Sequence, residues 1–398
     1  MSPRIRADRA YLIAITIGVI FIVFLGPLGR RLEIVHMNDF SGIWSGPATV
    51  LVGVNPWDPK LYVKTAVELG TKVPDALVDD YMPWEVVALL PLGLLPLEAA
   101  AWVWMIASMT LSALALRALL REFLPGRAAV HFSLGLALFV GQPGFHTIIL
   151  GQWALLLMSA VAAIVLALRA GHAGRAGLAA LALLAKPQLF VWTAVGLVVP
   201  ALSDARYRRF VTFAAPLAAV LVVASWLAFP DWLPAWLSDI LPRRTGRSAV
   251  LLSAFGQLMG TPGRVLALGV IGAGVVVASR FVRGSDPWLA VWLALSSAGA
   301  IYSWSYDQVL LFVPLVMAGG VLAAAGREHA ARRLAIGGAL TFLVVSPVFY
   351  GIAVWRHDET FSVLVPVALF VAIVWSLWPY RRVAPLAHDR PSQQVQPA

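Results

Sequence analysis

The chain contains no cysteine, and charged residues make up only 13% of its 398 positions. The lack of cysteine excludes a disulfide framework, a thiolate nucleophile and a cysteine-ligated metal. Soluble domains carry about 25% charged residues, whereas 60% of this chain is hydrophobic. The composition therefore excludes a soluble enzyme and a disordered chain. The net charge of +10 does not indicate nucleic-acid binding, because the arginines lie between long apolar runs and not along one face.

Motifs for nucleotide, zinc or serine-hydrolase chemistry are also missing. The chain has no Walker-type phosphate loop, no HExxH pair and no GxSxG elbow. Its seven histidines are scattered without the spacing of metal ligands. The sequence therefore predicts a function without a metal or another cofactor.

Long apolar runs are abundant, and they predict an all-α polytopic membrane protein. A helix that crosses the hydrocarbon core needs about 20 mostly apolar residues. The first run follows three arginines and has no small-residue cleavage site after it, so we expect an uncleaved first helix. About twelve spans are predicted, at residues 11–27, 98–120, 128–146, 152–169, 174–186, 187–202, 210–229, 263–281, 287–302, 308–325, 334–350 and 361–379.

Charge assigns the sides of the membrane. Clusters that hold 19 of the 30 basic residues recur at every second connection, and short basic connections belong in the cytoplasm. This alternation requires that residues 83–120 cross only once. Residues 84–97 are therefore predicted to form a re-entrant or interfacial helix, broken near Pro91 and Pro96.

The predicted architecture is a single membrane domain, residues 1–379, in the plasma membrane. Residues 28–81 form a large extracytoplasmic loop, which carries a short interfacial helix after Asp39 and a second one after Pro59. Residues 380–398 form a disordered cytoplasmic tail that is rich in Pro, Gln and Ser. On this topology the unusual polar motifs all emerge on the extracytoplasmic side, which indicates a site there.

Asp39 is the candidate general base. It lies about a dozen residues after the first span, directly before the predicted interfacial helix. A carboxylate held at an apolar interface is expected to have a raised proton affinity, which suits a general base. The alternative is a helix N-cap, a position that Asp favours.

Lys186 is the candidate partner of a phosphate group. It is the only lysine outside the large loop, and Pro187 breaks the helix directly after it. A charge between two apolar segments is costly and so indicates function, although a snorkelling lysine is the alternative. Arg243 and Arg244 form an extracytoplasmic basic cluster that could hold a lipid phosphate or simply be solvated.

Further polar and aromatic residues on the same side are candidates for binding the sugar or the acceptor. Aromatic side chains combined with amides and carboxylates are typical of carbohydrate sites. The alternatives are hydrogen bonds between helices for the amides and an interfacial aromatic belt. The candidates are Asn38, Tyr81, Gln152, Gln188, Trp304, Tyr306 and Asp307.

The order of these motifs resembles glycosyltransferase family 87, whose members use polyprenyl-phosphate sugars and have the GT-C fold. The resemblance covers roughly residues 10–325. The matching elements are Asp39-Phe40, the turn at 53–58, Tyr81-Met82-Pro83, the Pro-Leu element at 91–96, Gly151-Gln152, Lys186-Pro187 and Ser303-Trp304. The chain departs from the family at Met82, at Ala154 and at Asp307-Gln308, where the family has Pro, Asn and often His.

The resemblance implies an inverting mannosyltransferase in which Asp39 is the catalytic base. The donor would be a polyprenyl-phosphate sugar, the acceptor a glycolipid or glycan, and no metal would be needed. Position and charge make Lys186 the candidate for the donor phosphate. Two alternatives stay open: a transporter or flippase of lipid-linked substrates, and an enzyme of the O-antigen ligase or polymerase type.

Overall fold

The computed structural model describes residues 1–30, 39–71, 77–243 and 247–382. Within these ranges the chain is helical and has no strand. The α-helices are α1 Pro3–Arg30, α2 Asp39–Leu51, α3 Tyr62–Glu68, α4 Pro83–Ala88, α5 Leu90–Gly93, α6 Leu97–Phe123, α7 Ala128–Val140, α8 Gln142–Leu150, α9 Ala154–Arg169, α10 Ala173–Ala180, α11 Val191–Ser203, α12 Ala205–Ala228, α13 Trp232–Arg243, α14 Leu251–Ala278, α15 Asp286–Ala298, α16 Phe312–Ala324, α17 Glu328–Leu340, α18 Ser346–Arg356 and α19 Leu364–Leu377.

Eight helical segments of the described chain are long and apolar enough to cross a membrane. They confirm the all-helical polytopic architecture, whereas the count of about twelve spans is not confirmed. The remaining predicted spans correspond to helices of 16, 8, 13 and 13 residues, namely α9, α10, α11 and α15. These are shorter than the ~20 residues of a typical crossing. Helix α10 passes into a 3₁₀ turn at Leu181, the Lys186-Pro187 break precedes α11, and Gly299 follows the end of α15.

The centre of the helical assembly is the segment Ser305–Ala324, which contains α16. In this segment 83% of the most apolar window is buried, against 11% in α12. The ring of Phe312 at the start of α16 stacks on Phe342 with 4.7 Å between the centroids. The apolar surface of α12 is thus left facing outward, where lipid would cover it, while α16 is enclosed by protein.

Small residues let α1 pack closely on α7. A Cβ atom on Gly18 would lie 2.8 Å from Cβ of Phe139, and one on Gly135 would lie 3.0 Å from the ring of Tyr11. Helices in membranes associate through such close backbone approaches. The contact anchors the first helix beside the α7–α8 segment, whose far end leads into the Gly151-Gln152 turn.

Between the first helix and α6, the described residues 39–71 and 77–96 form only short helices. α4 and α5 have six and four residues, and Pro83 and Pro91 lie in their first turns. Proline fits there because the first N–H groups of a helix have no intrahelical partner. Neither helix can cross a membrane, and α6, with 27 residues, is the crossing element of this region.

Five ion pairs of the described residues gather at one end of the assembly, where they join basic connections that are distant in the chain. These pairs are Asp8–Arg121, Asp8–Arg117, Glu122–Arg169, Arg127–Glu328 and Arg169–Asp286. Helix α9 ends at Arg169 and begins two residues after Gln152. Its 16 residues separate the two groups by about 24 Å. The ion pairs of Arg169, on the predicted cytoplasmic side, therefore lie at the end of α9 opposite Gln152, which is on the predicted extracytoplasmic side.

Candidate active site

The carboxylate of Asp39 lies at the end opposite the ion pairs. Asp39 is the first residue of α2 and is exposed. Its Oδ2 atom accepts a hydrogen bond of 2.6 Å from Nε2 of Gln152. The hydroxyl of Tyr81 donates to the main-chain oxygen of Asp39 at 3.4 Å. The next residue, Phe40, is buried with its ring centroid 5.9 Å from that of Trp104. The exposed carboxylate thus sits on a firmly packed helix.

The Gly151-Gln152 turn between α8 and α9 fits closely against α2. Gly151 has a φ of 70°, and a Cβ atom on it would lie 2.5 Å from Cβ of Phe40. The indole N–H of Trp104 donates to the oxygen of Gly151 at 2.7 Å. Gln152 is buried. Because an ionised carboxylate only accepts hydrogen bonds, the amide nitrogen of Gln152 must be the atom that faces Asp39. The sequence predicted a sugar contact for Gln152, and the structure brings it to Asp39.

Lys186 lies between the 3₁₀ turns Leu181–Ala185 and Pro187–Leu189. Its Nζ atom is 3.0 Å from Oδ1 of Asp307 and 4.6 Å from the ring centroid of Tyr306. Lys186 is 9% exposed and Asp307 is 3% exposed. A buried ammonium needs such partners, because its removal from water is costly. The side chain is therefore directed into the protein, where it forms an ion pair with another predicted site residue.

Asp307 also closes the turn in which it lies. Its Oδ2 atom accepts a hydrogen bond of 3.0 Å from the N–H of Trp304. The hydroxyl of Ser305, next in the chain, accepts a hydrogen bond of 3.0 Å from Nε2 of Gln142 on α8. One carboxylate thus fixes both the backbone of this turn and the position of the Lys186 ammonium.

Tyr306 connects the Asp39 and Lys186 parts of the site. Its main-chain oxygen accepts a hydrogen bond of 3.3 Å from the hydroxyl of Thr147. The oxygen of Thr147 in turn accepts 2.9 Å from the N–H of Gln152. The Tyr306 ring faces Lys186, with 4.6 Å from Nζ to the ring centroid. A chain of contacts through Gln152, Thr147 and Tyr306 therefore links Asp39 to Lys186.

Glu359 adds a carboxyl group that the sequence motifs did not single out. Its Oε2 atom accepts a hydrogen bond of 2.7 Å from the N–H of Ser305. Burial raises the pKa of the Glu359 carboxyl group above its ordinary value. The hydrogen bonds with Ser305 lower this pKa, the charges of Asp307 and Asp39 raise it, and the net shift is upward. The sequence signal that could have identified Glu359 is its position as an acidic residue in the short polar connection between the last two predicted spans.

The other predicted residues occupy different places. Asn38 and Arg244 lie outside the described residues. Arg243 is the last residue of α13. Gln188 is half-buried in the 3₁₀ turn after Lys186 and makes no hydrogen bond with the other described site residues.

The aromatic members of the site are half-buried or buried. Trp304 is half-buried, and its indole N–H donates to the hydroxyl of Tyr302. The two rings meet edge to face at 5.9 Å, while Tyr306 behind them is buried. Among the described residues, no group of three or more His, Cys, Asp or Glu side chains could hold a metal ion. The described site therefore provides the carboxylate of Asp39, the buried ammonium of Lys186 and aromatic faces.

Comparison with known proteins identifies the family. The model of glycosyltransferase family 87 matches residues 81–347, about two thirds of the chain. No curated protein and no solved structure matches the chain. The matched range includes Gln152, Lys186 and Asp307, whereas Asp39 and Glu359 lie outside it. Because the match covers more than half of the sequence, this chain belongs to glycosyltransferase family 87 and is a membrane glycosyltransferase.

Proposed function

We propose that the protein transfers mannose from a polyprenyl-phosphate donor to a hydroxyl group of an extracytoplasmic glycolipid or glycan. One observation carries the proposal: a chain of contacts through Gln152, Thr147 and Tyr306 links the Asp39 carboxylate to the Lys186 ammonium. A proton acceptor and a cation at the same site are what transfer from a lipid phosphate requires.

In the proposed reaction Asp39 is the base. It takes the proton from the acceptor hydroxyl while that oxygen attacks the anomeric carbon of the donor. The bond from this carbon to the phosphate oxygen breaks, and its electron pair leaves with the polyprenyl phosphate. Attack from the face opposite the phosphate inverts the configuration, so a β-linked donor gives an α-linked product. A positioned base of this kind contributes about 10²–10⁴-fold to the rate.

Lys186 is proposed to bind the phosphate of the donor and of the departing lipid. An ammonium has three N–H donors, and Asp307 uses one of them. The remaining donors can hydrogen-bond the phosphate oxygens as charge accumulates on them. Arg243, at the end of α13, and Arg244 are proposed as further phosphate contacts.

The sugar and the acceptor are proposed to bind against the half-buried side chains at the open face of the site. Tyr81 and Trp304 offer aromatic faces beside Asp39 and Asp307. Asn38, Gln152, Gln188 and Tyr306 are the other proposed contacts. The basic end of the molecule is proposed to face the cytoplasm, so that this site opens on the outer side of the plasma membrane.

The test is transfer by the purified protein in lipid nanodiscs. A panel of polyprenyl-phosphate sugars is supplied with a membrane-lipid extract, and the acceptor products are identified by mass spectrometry. We expect transfer from the mannose donor, and a loss of about 10²–10⁴-fold in the Asp39→Asn variant.

The matched control is Asp58→Asn, which lies with Asp39 in the connection between α1 and α6. Asp58 accepts main-chain hydrogen bonds from Lys60 and Leu61, which an asparagine oxygen also accepts. This variant should transfer at the parent rate. Full activity of Asp39→Asn would overturn the assignment of the base. Uptake of the lipid without transfer, unaffected by Asp39→Asn, would favour a transporter, and joining of preformed glycans would favour a ligase or polymerase.

A further inference from the structure

Glu359 reaches the site from a tight turn between α18 and the 3₁₀ helix Thr360–Val363. His357 ends α18 with a φ of 53°, and the N–H of Asp358 donates to the oxygen of Ala353 at 3.0 Å. Asp358 then accepts the N–H of Thr360 at 2.9 Å and so starts the next helix. This reversal of the chain directs Glu359 towards the Asp307 turn.

Glu359 holds the Asp307 turn at a second point. Besides the 2.7 Å hydrogen bond from Ser305 to its Oε2 atom, its own N–H donates to the oxygen of Arg247 at 3.2 Å. The N–H of Ala249 donates to the oxygen of Ser303 at 2.8 Å. The connection after α18 and the segment after α13 therefore meet on the turn that carries the partner of Lys186.

The carboxyl groups of Glu359 and Asp307 hold the same turn, since Glu359 accepts the N–H of Ser305 and Asp307 accepts the N–H of Trp304. The charges of Asp307 and Asp39 act on Glu359, and the charge of Glu359 acts on the hydroxyl of Tyr350 on α18. Among the nearby cations, Lys186 is paired with Asp307, Arg356 lies over the ring of Phe361, and Arg247 contacts Glu359 through its main-chain oxygen. If all three carboxyl groups were ionised, an anionic donor would meet a site with a net negative charge. Like charges at close range in a partly buried site repel strongly.

We propose that Glu359 is a positioning residue for the donor, which in its protonated form holds the Asp307 turn in place without repelling the phosphate. This inference rests on the proposed function. The protonated carboxyl group still accepts the N–H of Ser305 through its carbonyl oxygen. Protonation therefore changes the charge of the site and leaves its geometry intact.

The consequence is a pH dependence of donor affinity. The pKa of Glu359 is raised by burial and by the charges of Asp307 and Asp39, so the neutral form persists to higher pH than in an exposed glutamate. Donor affinity should be high below the pKa of Glu359 and should fall as the pH rises through it. We expect a decrease of about tenfold, the size that one added like charge causes near a partly buried site.

The experiment measures the dissociation constant of polyprenyl-phosphate-mannose for the protein in nanodiscs between pH 5 and pH 9, without an acceptor. This donor is a phosphodiester, so its own charge stays constant over the range. Tryptophan fluorescence reports binding, because Trp304 lies at the site. Glu359→Gln should bind with the low-pH affinity of the parent at every pH. Glu359→Ala, which loses the acceptor for the Ser305 N–H, should bind weakly at every pH.

The matched control is Asp358→Asn, next to Glu359 in the chain. Its carboxylate pairs with Thr360 and Gln257 and not with the Asp307 turn, so its pH profile should follow that of the parent. Equal pH profiles for the parent and Glu359→Gln would overturn the proposal, as would equal binding by Glu359→Gln and Glu359→Ala. Failure of the proposed function has a different signature, namely donor binding with no transfer to any acceptor.

Discussion

Gln152 orients the carboxylate of Asp39 through the 2.6 Å hydrogen bond to Oδ2. In Gln152→Leu this donor is lost, and the carboxylate can rotate away from the acceptor hydroxyl. We expect kcat for transfer to fall by about 10–100-fold, part of the contribution of a well-placed base, with little change in the KM for the donor. Steady-state kinetics on the purified variant measure both quantities. An unchanged kcat would mean that Asp39 does not depend on this contact.

The buried Lys186–Asp307 ion pair should affect the free energy of unfolding. Removal of one partner leaves the other charge buried and uncompensated, which costs about 3–5 kcal/mol. Lys186→Met and Asp307→Leu should therefore each lower the free energy of unfolding, measured by denaturant in detergent micelles. The double variant should recover most of this loss, because it buries no lone charge, yet it should remain inactive. A double variant less stable than either single variant would contradict the ion pair as the source of the effect.

At the scale of elements, Gly151 sets how closely the α8–α9 turn approaches α2. In Gly151→Ala the new Cβ atom would clash with Phe40, and alanine is strained at a φ of 70°. The strain alone costs about 1–2 kcal/mol, and the clash should displace the helix that begins with Asp39. We expect lower stability and lower kcat, measured by thermal unfolding and by the transfer assay.

Gly171 is the matched control for Gly151. It has a φ of 76°, a Cβ atom on it would meet no other atom within 4 Å, and it lies near the basic end. Gly171→Ala should lose a similar ~1–2 kcal/mol from backbone strain but should transfer at the parent rate. Equal losses of activity in the two variants would show that the effect does not come from the Phe40 contact.

The hydropathy and charge pattern predicted more of the fold than of the site. Apolar runs located the helices, and basic connections sorted the chain into two ends, because both signals are local in sequence. Lys186 and Asp307 were found singly but not as a pair, since 121 positions separate them. Glu359 was missed because its partner, the N–H of Ser305, is a main-chain group that no side-chain pattern reveals. Apolar runs alone did not separate the eight long helices from the shorter α9, α10, α11 and α15, because local hydropathy does not show where a helix is broken.

At the scale of the whole molecule, the two ends should lie on opposite sides of the membrane, with the site outside. The absence of cysteine gives a clean background for single-cysteine labelling. Lys60 is exposed in the turn before α3, on the site side, and Ala325 is exposed between α16 and α17, at the basic end. A membrane-impermeant maleimide should label Lys60→Cys in intact cells and Ala325→Cys only after permeabilisation, because basic connections stay in the cytoplasm.

The reverse pattern would place the site in the cytoplasm and refute the proposed orientation. Labelling of both in intact cells would mean that the two ends do not lie on opposite sides.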